Sequence, residues 1–162
     1  MLAGCGGDDD GSVVTGADAL TPSKRDYIVQ ADTICAHAEQ LIETEAEVAL
    51  GIDANDFTVR PSGEIVFKSG RRPSAARIER FGAEVVISGL RKQLADLVAL
   101  TPPRGDEGTV AAIYDSAEAG VERLAANPSL FNDQGAVRRE LNQARRAGRR
   151  YGFYECGTYS GP

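Results

Sequence analysis

The chain has no tryptophan, a single histidine and only three cysteines among its 162 residues. Aromatic residues make up 6% against 42% hydrophobic, so any core must be aliphatic and rich in alanine. No apolar run approaches the roughly 20 residues needed to cross a bilayer as a helix. His37 has no second histidine, and its neighbour Cys35 is two positions away, on a different helical face. No Glu-x-x-His pair occurs, which removes the ligand set of carboxylate-bridged di-metal bundles. Also missing are a phosphate-cradling Gly-Lys-Ser/Thr loop and a Gly-x-Ser-x-Gly nucleophile elbow. Catalysis is left without a recognisable constellation, and neither a metal nor another cofactor is expected.

An excess of positive charge is missing too. The net charge of −6 argues against a nucleic-acid binder, which carries a basic footprint. The charges that are there are unevenly spread. Residues 24–50 set Lys24 and Arg25 against Asp26, Asp32, Glu39, Glu43, Glu45 and Glu47. Residues 133–162 set six arginines against Asp133, Glu140 and Glu155. An acidic segment and a basic segment at opposite ends of the folded part are expected to meet.

Between them, periodicity predicts four helices. Ser23-Lys24-Arg25-Asp26 reads as a capping box, and Ile28, Ala31, Cys35, Ala38, Ile42 and Ala49 form a stripe that Gly51 terminates. A second helix over 75–100 shows Ile78, Phe81 and Val85 on one face, then Val86, Leu90, Leu94 and Leu97 on another. That shift predicts a bend near Ser88-Gly89. The third helix carries Val110, Ile113, Ala117, Val121 and Leu124 and ends at Asn127-Pro128. Arg104-Gly105-Asp106 before it reads as a turn placing acids at a helix start rather than as an adhesion motif. The fourth, over 133–151, carries Val137, Leu141, Ala144, Gly148 and Tyr151. Residues 51–73 alternate around Pro61-Ser62-Gly63 and predict a short hairpin. The expected fold is all-α, an antiparallel four-helix bundle over 20–162 with a small β-hairpin insertion at 51–73 between helices one and two.

Residues 1–19 do not fit that domain. Leu2-Ala3-Gly4-Cys5 looks like a bacterial lipobox, followed by a glycine- and aspartate-rich stretch with the composition of a flexible tether. The likeness implies that Cys5 becomes a lipidated amino terminus and holds the protein on the extracytoplasmic face of the cell membrane. A secretory leader needs a charged start and an apolar stretch of about 7–15 residues, so the reading frame is expected to continue upstream of Met1. The alternative is a flexible tail with an incidental cysteine. If Cys5 is lipidated, Cys35 and Cys156 remain as a pair for a disulfide in an oxidising compartment. Buried free thiols or a redox pair are the competing readings, and the lack of Cys-x-x-Cys weighs against the second. A bridge needs Cα atoms about 4.4–6.8 Å apart.

At "YIVQADTICAHAEQ", "LTPPRGDEG" and "YGFYECG" the chain resembles a group of uncharacterised lipoproteins from high-GC Gram-positive bacteria. Members share an Ala-Asp-x-x-Cys helix, a mid-chain Pro-Pro turn and a Tyr-Gly-x-x-x-Cys-Gly end. The resemblance covers most of residues 20–157 and implies a disulfide-closed helical bundle on a lipid anchor, with no activity attached.

Two groups of side chains are candidates for binding. Glu39, Glu43 and Glu47 repel one another at four-residue spacing; they form a solvated face, pair with helix four, or hold a cation. Glu45 lies near the apolar side, where it snorkels, pairs with an arginine or meets a ligand. Arg138, Arg139, Arg145, Arg146, Arg149 and Arg150 form two rows opposite the apolar stripe of helix four. One row is expected to pair with helix one, and the other to stay exposed toward anionic lipid heads or wall-polymer phosphates. The protein is therefore expected to be a non-catalytic, lipid-anchored binding or scaffold module. The alternative is an envelope enzyme, or an enzyme accessory, using the carboxylates of helix one.

Overall fold

The computed structural model describes residues 23–59, 65–68, 70–133 and 135–158. Cys5, the tether at 1–19 and the Pro61-Ser62-Gly63 turn lie outside the described residues. What is described is overwhelmingly helical, an all-α helical bundle.

Helix α1 (Lys24–Leu50) starts where Ser23 accepts a hydrogen bond from the Asp26 N–H, and the Ser23 hydroxyl in turn donates to the Asp26 carboxylate. It stops at Gly51, whose positive φ lets the N–H groups of Gly51 and Ile52 both return to the Glu47 carbonyl. Strands β1 (Phe57–Val59) and β2 (Ile65–Phe67) pair antiparallel, with Thr58 opposite Val66. Three residues per strand is too little to stand alone in water.

Helix α2 (Ala75–Phe81) runs without a break through a wider turn at Gly82–Val86 into α3 (Ile87–Val98). The Ile87 N–H reaches back five residues to the Gly82 carbonyl. This π turn changes the buried face, and it lies earlier than the bend expected at Ser88-Gly89. Its extra residue keeps Phe81 and Gly82 on the same side as Val86 and Ile87, a five-residue step that an α-helix would rotate away. Gly89 has a packing role instead: a Cβ there would stand 3.0 Å from Ile42 of α1.

Helix α4 (Glu107–Ala126) and α5 (Ala136–Tyr151) follow, joined by a 3₁₀ segment at Pro128–Asn132. They approach closely at Gly120, where a Cβ would come within 2.7 Å of the Glu140 carbonyl oxygen. All five stripe positions of α5, from Val137 to Tyr151, are buried as the spacing predicted. On α1 the buried line runs through Tyr27, Ala31, Cys35, Ile42, Ala46 and Leu50, while Ile28, Ala38 and Ala49 are only half-buried. The stripe therefore holds at Ala31, Cys35 and Ile42 and differs at its ends, where Tyr27, Ala46 and Leu50 take the buried places. The short helix α6 (Glu155–Thr158) packs on α1 from the far end of the chain, beside the contacts of α1 with α3 and α2.

The core has two parts. One gathers Ile42, Phe81, Val86, Leu90, Leu124 and Leu141; the other gathers Tyr27, Cys35, Leu97, Ile113, Tyr151 and Phe153.

Candidate binding site

The cysteines of α1 and α6 are bonded. Cys35 and Cys156 form a disulfide with Cα atoms 5.2 Å apart, closing 121 residues of chain. Local geometry brings Cys156 there. Gly152 adopts φ +120°, so α5 ends abruptly and the Phe153 N–H returns to the Gly148 carbonyl. Phe153 then folds back into the core, and the Asp32 carboxylate accepts from the Tyr154 N–H at 3.0 Å and the Cys156 N–H at 3.1 Å. Asp32, read from the sequence as one more acid on a charged face, is the cap that seats the C-terminal segment.

Among the described residues the acidic helix and the basic helix are not each other's main neighbours. Helix α1 packs chiefly on α3 and α6, and α5 on α4 and α6, so α6 has contacts to both. The rings of Tyr27 and Tyr151 link α1 and α5 at one end, edge to face at 6.3 Å. Arg139 bonds to Asp133 just before its own helix, and Arg146 reaches Asn142 one turn back. Those two pairings are local and leave the expected row from helix four to helix one without their contribution. Arg138, Arg139, Arg146, Arg149 and Arg150 are exposed, and Arg145 is half-buried.

Among the carboxylates of α1, Glu43, Glu45 and Glu47 are exposed, which leaves Glu45 away from the apolar side. Glu39 is half-buried, and burial with the nearby charges of Glu43 and Glu155 raises its carboxyl above the usual glutamate range. Among the described residues no three His, Cys, Asp or Glu side chains gather around a common centre.

Arginines that the sequence did not single out hold neighbouring helices together. Arg77 donates to the Ala49 carbonyl at the end of α1. Arg91 forks onto Glu122 with two bonds of 2.9 Å between α3 and α4. Arg123 reaches Glu140 between α4 and α5 at 2.6 Å. Each pair lies 17 or more residues apart, beyond any helical spacing rule. A polar chain also runs through the end of the bundle. The Tyr27 and Tyr114 hydroxyls share a buried 2.6 Å bond, and Tyr151 donates to Asp106 at 2.8 Å. Asp106 sits at the start of α4, so the Arg104-Gly105-Asp106 turn serves the helix and the Tyr151 hydroxyl.

Where the two parts of the core meet there is a cavity of about 70 Å³. Leu90, Leu94 and Leu97 of α3, Val121 of α4, Leu141 of α5 and the Cys35–Cys156 bridge contribute to its wall. Arg145 lines it as well, and its Nε–H is buried without a hydrogen-bond partner among the described residues. Burial, then the charges of Arg149 and Arg138, lower the Arg145 guanidinium from its ordinary value. The geometry can accept an apolar group with a negative charge beside it. No protein-family model matches this chain, and no curated protein or solved structure is significantly similar to it.

Proposed function

We propose that this protein is a non-catalytic binding or scaffold module of the cell envelope, anchored on the extracytoplasmic face by a lipid on Cys5. The observation that carries this reading is the Cys35–Cys156 disulfide. Such bonds persist in oxidising compartments outside the cytoplasm. The pair uses two of the three cysteines and leaves Cys5 over, at the small-residue sequence that resembles a lipobox.

The finer architecture is read as an antiparallel bundle with residues 51–73 inserted after α1. Supporting it, Arg91 in the early part of α3 meets Glu122 late in α4, while Leu97 late in α3 shares a cluster with Val110 early in α4. The exposed arginines of α5 then present positive charge near a membrane to which the protein is already tied. Anionic lipid heads or wall-polymer phosphates are the partners that fit this charge. The kinship with lipoproteins of high-GC Gram-positive bacteria belongs to the same reading.

The test is fractionation of the protein expressed from its own gene in its host. Cys5→Ser is expected to move it from the membrane pellet to the soluble extracellular fraction. Unchanged sedimentation of that variant would overturn the anchor.

A further inference from the structure

The cavity between α3, α4 and α5 has mostly apolar walls of leucine, valine and phenylalanine; Gln93 and Tyr114 also line it, and its charged member is Arg145. Apolar cavities stay dry and take apolar guests; about 150 Å³ suffices for benzene. A space of about 70 Å³ is too narrow for a ring and accepts a slim hydrocarbon end. The Arg145 Nε–H beside it is a buried donor with no partner among the described residues. Such a donor is costly to leave unanswered, and a carboxylate meets a guanidinium edge with two oxygens.

We propose that this cavity binds a single-chain anionic amphiphile, a fatty-acid-like carboxylate whose chain end lies among Leu94, Leu97 and Val121 and whose head meets Arg145. The charge pattern selects the sign of the head. Arg138 and Arg149 both repel the Arg145 charge, so an anion is drawn in and an ammonium head is turned away. A neutral alcohol fills the same space without drawing on the guanidinium charge. The bridge between Cys35 and Cys156 forms part of the wall, so the site depends on the oxidised protein.

The proposal rests on the binding-module reading and names its ligand class; the Cys5 fractionation decides the anchor separately. The experiment is calorimetric titration of the full 162-residue chain with octanoate, 1-octanol and octylammonium, each below its aggregation limit. Octanoate is expected to bind at least tenfold tighter than octanol, and octylammonium more weakly than either. Arg145→Gln should erase the octanoate advantage and leave octanol affinity unchanged, while Arg145→Lys keeps part of it. Ala117→Phe, which fills the cavity from α4, should abolish binding of both with the helical circular dichroism intact. Should that variant fail to fold, the Arg145→Gln comparison alone decides. Equal affinity for octanoate and octanol in the unmodified protein, or an octanoate advantage that survives Arg145→Gln, would overturn the proposal.

Discussion

Tyr27 is almost wholly enclosed, with 1% of its surface exposed, yet it ends in a hydroxyl. Among the described residues that hydroxyl meets Tyr114, itself buried, and burial pushes both phenols above their ordinary pKa. Removing one partner strands the other. Tyr27→Phe is expected to cost about 1–3 kcal/mol, the penalty of an unanswered buried polar group. Adding Tyr114→Phe should recover most of that loss, because two apolar groups of the same shape have nothing left to satisfy. Denaturant unfolding of both singles and the double gives the coupling; additive losses would contradict the account. Lys24 completes the arrangement, stacking over the Tyr151 ring at 4.0 Å and lying 3.8 Å from Asp106.

At the scale of elements, spacing between helices is governed by where side chains are missing. The α4–α5 contact passes over Gly120 with backbone on the other side, so no rotamer change can make room for a methyl group. Gly120→Ala is expected to destabilise by about 1–3 kcal/mol, as overpacking does. Gly108, in the first turn of the same helix, meets nothing within 4 Å. Gly108→Ala should instead stabilise by about 0.4–1 kcal/mol, through loss of chain freedom in the unfolded state. Thermal unfolding of the two variants separates packing from propensity; similar shifts would mean that α4 and α5 part easily at Gly120. The same logic applies to the glycine that opens the π turn. A Cβ on Gly82 would overlap the Phe131 ring, so the turn has no side chain where another element leans on it.

Across the whole molecule the disulfide joins the first helix to the last, between cysteines 121 positions apart. The chain-entropy model assigns such a loop on the order of 4–5 kcal/mol, less any strain. Reduction should therefore lower the urea midpoint substantially. It should also free α6 from Asp32, seen as faster amide exchange at Tyr154 and Cys156. A stability change under about 1 kcal/mol would mean that α6 remains docked by packing alone and the bond is incidental to the fold.

Much of this was legible in the residues, and the divisions have physical causes. The caps at Ser23 and Gly51, the stripe of α5 and the stop at Asn127-Pro128 rest on local hydrogen bonding and on a 3.6-residue period, which neighbours in sequence establish. Pairing of Cys35 with Cys156 followed from counting, once Cys5 was set aside. The remainder depends on groups brought together from far along the chain. On α1 the expected stripe holds at Ala31, Cys35 and Ile42, while Tyr27, Ala46 and Leu50 are buried by neighbours distant in sequence. The bend in the second helix lies earlier than its Ser88-Gly89 signal, at a π turn packed against Phe131 from a distant element. Asp32 as a cap, Arg91 and Arg123 as clamps, and Arg145 beside an apolar cavity were invisible for the same reason. The four long helical stretches, the caps at Ser23 and Gly51 and, granted a lipidated Cys5, the cysteine pairing belong to the sequence itself, whereas α6 and the π turn do not. Which charge is buried, and which apolar space lies next to it, was decided only when distant helices packed.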